Sequence, residues 1–274
     1  MDLVLIRHPA VDVPSGVCYG QTDVALLPRF PADTAESQHS VVGTTDLAIP
    51  PQTATIALAV ANITAHLRER GLVHACFASP LQRCADVAHA LTRALPSPGL
   101  HDPRDDPRDD PRRQQHASLT FAHPHEHAAS KARLPASPVI EPRLAELDFG
   151  QWEMQRWDDI PRHQIDAWAA DILNGRPHHG ESVQMLADRC GAWLRELTTT
   201  LDSANHEEET DEPAPPPCLL LIGHAGPIRV LTALALDLPL TATLQWPLDF
   251  GGAVTLRHRG SRPSPSWTLR QWDG

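Results

Sequence analysis

A three-layer α/β fold, with a mostly parallel central sheet and helices on both faces, is what this sequence predicts, on three observations. Short unbroken aliphatic runs, LVLI at residues 3–6, VHACFA at 73–78 and CLLLI at 218–222, have the make-up of parallel strands buried on both faces. Between them lie segments of helical periodicity. Each run ends in small or turn-forming residues, so strand and helix alternate as they do in open parallel sheets.

In chain order, the first strand stops at Arg7 and His8 and is followed by the turn-forming PAVDVPSG. Residues 51–70, PQTATIALAVANITAHLRER, read as a helix closed by Gly71. After the second run comes SPLQRCADVAHALTRAL, where Ser79 suits an N-cap, Pro80 suits the first helical position, and Leu81, Cys84, Ala88 and Leu91 form one apolar stripe. Residues 154–173 are expected to form a further helix with Glu153 as the acid at its N-terminus, and Trp152, Trp157 and Trp168 are spaced for core packing. ESVQMLADRCGAWLRELTTT at 181–200 makes another helix, for which Glu181 and Ser182 can act as caps. The last aliphatic run delivers His224, and Gly226 and Pro227 introduce the helix IRVLTALAL at 228–236.

Three segments carry no periodicity. Residues 29–50 are polar and broken by prolines, 97–138 contain the tandem DPRDDPRDD followed by HPHEH, and 203–217 are acidic and then proline-rich. Such compositions bury too little apolar surface to offset the entropy of ordering them, so they are expected to be loop or disordered insertions in one domain spanning 1–274. Apolar residues make up 41% of the chain, enough for that single core. His123, His125 and His127 alternate within low-complexity sequence and lack a second ligand group at metal-site spacing, so no metal is expected there.

A formal charge of −11, without a long basic run, argues against nucleic acid as a partner. The start MDLVLIRH is neither a signal peptide nor a membrane span, so a cytoplasmic protein is expected. Five cysteines without CxxC spacing read as reduced, mostly buried thiols. The sequence leaves the oligomeric state open.

In open α/β sheets, ligands bind outside the carboxyl ends of the strands. Those ends carry Arg7 and His8, Ser79 with Arg83 close behind, and His224. Two arginines and two histidines converging on one crevice make a cationic, donor-rich group suited to a phosphoryl group.

These segments bear a resemblance to a known family. LIRHP, ASPLQRCADVA, RLAELDFGQWE and IGHAGPIR resemble the four motif regions of the histidine phosphatase superfamily, the phosphoglycerate-mutase-like fold. RHPAVDVPSGVCYGQTDVAL and PHHGESVQML look most like its α-ribazole phosphatase branch. One departure is Pro9, where the family has glycine; proline still offers the carbonyl that orients the family's nucleophile.

The resemblance implies a metal- and cofactor-independent phosphomonoesterase acting on a small phosphate ester. His8 would be the nucleophile, Arg7 and Arg83 would bind the non-bridging oxygens, and His224 would add a donor. Glu146, preferred over Asp148 and Glu153, would be the acid and then the base. Gln21, Thr22 and Tyr19 are further candidates for substrate binding. The first-choice substrate is α-ribazole 5′-phosphate, of cobalamin nucleotide-loop assembly, with Tyr19, Leu147 and Phe149 as surface for its base. The alternatives are a phosphoglycerate mutase, a broad-specificity phosphatase, or a non-catalytic phosphate-binding protein. Leu147 and Gly226 stand where the mutases carry arginine and asparagine.

Overall fold

Side chains of β1 (Asp2–Arg7) alternate between two hydrophobic cores: Leu3 and Leu5 enter one, Val4 and Ile6 the other. That alternation places a helical layer on each face of the sheet. The computed structural model describes residues 1–28, 51–67, 73–94, 137–205, 218–260 and 266–273. After β1 come α1 (Pro51–Leu67), β2 (Val73–Ala78), α2 (Gln82–Ala94) and β3 (Val139–Ile140). Three single 3₁₀ turns (Pro142–Leu144, Gly150–Trp152, Trp157–Asp159) lead to α3 (Arg162–Ala170) and α4 (Val183–Asn205). The chain closes with β4 (Cys218–Gly223), α5 (Ala225–Ala235), α6 (Leu240–Thr243), β5 (Ala253–His258) and β6 (Trp267–Asp273).

The strands form one six-stranded sheet in the order β3-β2-β4-β1-β5-β6. The first four are parallel, while β5 runs antiparallel to β1 and β6 antiparallel to β5. Residues of α1 and α2 such as Ile63, Val87 and Leu91 cover one face with Cys218, Leu220 and Ile222 of β4. On the other face α4 and α5 bring Leu186, Trp193, Ile228 and Leu231 onto Leu219 and Leu221. Leu221 is fully buried, so truncating it to alanine is expected to cost about 2–5 kcal/mol. All five cysteines are free and buried.

Several local expectations are corrected. The helix expected over 154–173 is interrupted: Ile160, held extended at φ −72° and ψ 131° ahead of Pro161, separates the turn at Trp157–Asp159 from α3. Glu153 therefore stands at no helix N-terminus, and Met154 after it has a left-handed φ of 63°. Ser79 is not the N-cap of α2, which starts at Gln82, where Asp23 Oδ1 accepts the Gln82 N–H at 2.8 Å. Strands β5 and β6 were not anticipated, because AVTLRH and WTLRQWD mix polar and apolar residues where aliphatic runs were the signal.

Segment 29–50 lies outside the described residues, as do all but the last two residues of 97–138, HPHEH included. Residues 203–205 of the third segment complete α4, where Ser203 Oγ donates to the Thr199 carbonyl at 3.0 Å; the remainder lies outside.

Candidate active site

Strands β1 and β4 are neighbours, with Arg7 opposite Gly223, so His8 and His224 leave adjacent strand ends. Their rings lie 5.1 Å apart, centroid to centroid. His8 is 1% exposed, and its Nδ1–H donates to the Pro9 carbonyl at 2.6 Å. A carbonyl can only accept, so the neutral ring carries its proton on Nδ1 and leaves a lone pair on Nε2. Burial above all, then Arg83, lowers the His8 pKa to about 3, against the Pro9 bond that favours the cation.

His224 sits at the N-cap position of α5 and is fully buried. Its Nε2 lies 2.7 Å from Ser79 Oγ, which itself accepts the Leu81 N–H at 3.3 Å. Burial, with His8 and the arginines adding to it, holds His224 neutral. Cys84 Sγ packs 3.5 Å from the same nitrogen.

Arg83, fully buried in the first turn of α2, gives Nη1 to the Thr22 carbonyl at 2.9 Å and Nη2 to the Gly20 carbonyl at 2.6 Å. Arg7 donates through Nη1 to the Leu248 carbonyl at 2.6 Å. In both arginines the buried Nε has no hydrogen-bond partner among the described residues. A buried, unsatisfied cationic donor is costly, and two of them beside two neutral histidines define a place for an anion.

Glu146 follows the turn Pro142–Leu144 and takes the Leu147 N–H at 3.0 Å and the Gly226 N–H at 3.4 Å. Burial raises its pKa, against those two bonds and the pull of Arg83 and Arg7. A Cβ on Gly226 would overlap the Glu146 carboxylate, so only glycine leaves this acid where it is. The Glu146 carbonyl is gripped by Gln21 Nε2 at 2.8 Å and by Arg189 Nη2 at 2.9 Å. Arg189 is in turn fixed by a two-point pair with Glu181, at 2.7 and 2.8 Å.

The remaining sequence candidates divide. Tyr19 lies under Arg83, its ring centroid 5.1 Å from the guanidinium carbon. Gln21 reaches the backbone of Glu146, whereas the Thr22 hydroxyl and N–H are both spent on Glu153. Ser182 Oγ caps α4 by accepting the Met185 N–H at 3.2 Å. Leu147 is buried in the core and Phe149 packs edge-on against Trp157, Trp168 and His178, so neither offers surface for a base. Phe250, 43% exposed, lies 3.8 Å from the Arg7 guanidinium and 5.5 Å from the His8 ring.

Sequence reasoning missed Phe250, Arg189, Arg229 and the part played by Glu153. Arg189 had a signal, an arginine beside the buried stripe Val183, Leu186, Ala187 and Cys190. Phe250 had none, since it precedes an unanticipated strand. Arg229, whose Nε donates to the Trp246 carbonyl at 2.9 Å, secures with Arg7 the loop that carries Phe250. A cavity of about 350 Å³ beneath α1 is lined by Arg7, His8 and Phe250, with Arg83, Glu146 and His224 outside its walls.

Residues 124–271, just over half the chain, match the family model of the histidine phosphatase superfamily, branch 1. Arg7, His8 and Arg83 lie outside that stretch, and the fold brings them to it. Adenosylcobalamin/alpha-ribazole phosphatase of Salmonella typhimurium is 27% identical over 115 residues, 41% of this chain and 50% of that protein. The protein of the same name from Escherichia coli is 28% identical over 134 residues, 46% of this chain and 60% of its own. The chain thus spans about half the length of the curated relatives it matches. Among solved structures, a mycobacterial glucosyl-3-phosphoglycerate phosphatase superposes with a TM-score of 0.61 at 20% identity, covering 100% of this chain and 98% of that one. The alpha-ribazole phosphatase of Shigella flexneri gives 0.59 at 18% identity, covering 100% and 96%. At such identities these two likenesses establish the fold.

Proposed function

Because the chain belongs to the histidine phosphatase superfamily, we propose that it hydrolyses phosphate monoesters through a phosphohistidine formed on His8. The observation that carries this reading is the state of His8: a neutral ring tied through Nδ1 to Pro9, with Nε2 left to attack. In the first step Nε2 bonds to phosphorus as the bond to the leaving oxygen breaks. Arg7, Arg83 and His224 hold the non-bridging oxygens, whose charge they stabilise. Glu146, whose protonated form burial favours, gives its proton to the leaving oxygen. In the second step the ionised Glu146 takes a proton from water as that water attacks phosphorus, freeing His8 and inorganic phosphate. Each bond to phosphorus that breaks is replaced by one that forms, and the proton returns to Glu146.

Within this class the first-choice substrate is α-ribazole 5′-phosphate. The names of the two curated relatives support it, and so do the aromatic rings of Phe250 and Tyr19 beside the two arginines. The mutase alternative is disfavoured by Gly226, since an asparagine side chain there would displace Glu146. A turnover screen in EDTA over phosphomonoesters, including α-ribazole 5′-phosphate and 3-phosphoglycerate, tests both levels. No turnover of any ester sinks the phosphatase reading. A tenfold or greater kcat/KM preference for 3-phosphoglycerate, an order-of-magnitude threshold equal to about 1.4 kcal/mol, sinks the substrate choice.

A further inference from the structure

Glu153 is a carboxylate with no cation beside it among the described residues, yet it accepts four hydrogen bonds. The Gln21 N–H donates to Oε1 at 2.8 Å and the Phe149 N–H to the same oxygen at 3.1 Å. The Thr22 N–H donates to Oε2 at 2.6 Å, and the Thr22 hydroxyl donates to that oxygen as well. Three of the four donors belong to the loop at residues 19–22. The same loop offers its Gly20 and Thr22 carbonyls to Arg83 and the side chain of Gln21 to the Glu146 backbone.

The geometry has a steric counterpart. Gly20 has a left-handed φ of 34°, and a Cβ on it would overlap the Glu153 carboxylate. The carboxylate thus fills the space that the absent side chain leaves, and the turn closes over it. Within a trans peptide unit the N–H of one residue points opposite to the carbonyl of the residue before it, so the Gln21 N–H on Glu153 turns the Gly20 carbonyl away from the carboxylate. Here the carbonyls of Gly20 and Thr22 point at the guanidinium of Arg83.

From these contacts we infer that Glu153 is a positioning residue that acts on the phosphoryl group through Arg83. The two carbonyls grip Arg83 by Nη1 and Nη2 together, at its far end. With Nη1 and Nη2 so held, Nε is the guanidinium nitrogen without a partner among the described residues, and its N–H is assigned to the anion. The Glu153 carboxylate organises the loop that makes the grip, without itself touching the phosphoryl oxygens. The inference rests on the phosphatase reading and deepens it.

The test is binding of orthovanadate, a phosphoryl mimic, alongside turnover of p-nitrophenyl phosphate. Glu153→Gln replaces one acceptor oxygen by an NH₂ facing the N–H donors of the loop. It is expected to weaken orthovanadate binding and raise KM by about tenfold, with a smaller change in kcat. In an Arg83→Lys background, where the two-carbonyl grip no longer exists, the same substitution is expected to change binding by no more than about twofold. An equal loss in both backgrounds would make Glu153 a general structural residue and overturn the inference. Should Glu153→Gln not fold, Thr22→Val removes one of the four donors, and a rise of about threefold in the orthovanadate Kd is expected. An unchanged Kd there overturns the inference too. Failure of the unaltered chain to bind orthovanadate would overturn the phosphatase reading itself, whereas tight binding by the unaltered chain and by Glu153→Gln alike overturns only the positioning role.

Discussion

The two strand ends that deliver His8 and His224 are near copies in sequence and neighbours in the sheet, yet they present their histidines differently. After β1 the chain enters a loop, and the His8 ring is held at one nitrogen by its own neighbour Pro9 while Nε2 makes no hydrogen bond among the described residues. After β4 the chain turns at once into α5, and the His224 ring is packed between Ser79 and Cys84 with Nε2 occupied. A nucleophile must keep one lone pair unspent, whereas a residue that stabilises charge gains from being fixed. In the proposed roles the same local motif serves both needs, because one strand runs on into a loop and the other into a helix.

The largest effect that would sharpen this contrast is expected at His8. His8→Ala should abolish an acid-labile phosphoenzyme in rapid-quench labelling and lower kcat by on the order of 10³-fold or more. Persistent labelling would break the assignment. His224→Ala should lower kcat by roughly 10²- to 10³-fold while still forming some phosphoenzyme. If this variant alone lost the label, the roles of the two histidines would be reversed.

Next comes the acid beside His224. Gly226→Ala should keep the fold and push the Glu146 carboxylate aside. Turnover of alkyl phosphates should fall by about tenfold or more, and that of p-nitrophenyl phosphate by less, because an activated leaving group needs little protonation. Equal losses on both esters would move the acid elsewhere.

Titration separates the histidines from the acid. His8 gains a proton only near pH 3, so kcat/KM should not fall through an acid limb at 6.5, the ordinary histidine value. Glu146 must be protonated for the first step, so activity should fall as pH rises through its raised pKa. Stability carries the opposite sign for His8: below pH 6.5 the unfolded chain takes up a proton that the folded chain refuses. Each unit between 6.5 and about 3 should then cost about 1.4 kcal/mol from this ring. A pH–rate profile and acid-side melting curves check both. The smallest effect is expected for Pro9→Gly, which keeps the carbonyl that holds Nδ1; kcat should change by no more than about threefold.

What could be read from the sequence is what depends on neighbours along the chain. The aliphatic runs of β1, β2 and β4 marked buried parallel strands, and the residues at their ends marked Arg7, His8, Arg83 and His224. Those strands were legible because burial on both faces leaves no polar positions. β5 and β6 were not, since a hairpin at the sheet edge mixes polar with apolar residues.

The sequence by itself thus determined the layered α/β class, the strand ends and the residue types gathered there. Tertiary structure alone decided which atoms those residues present. Glu153, 131 residues from Thr22, became the anchor of the Arg83 loop. Phe250, not Leu147 or Phe149, stands exposed beside Arg7 and His8. Ser79 went to His224 instead of capping α2. The reason is physical: a strand or helix is fixed by periodicity over a few residues, whereas a side-chain hydrogen bond is fixed by partners that only the closed sheet brings within about 3 Å.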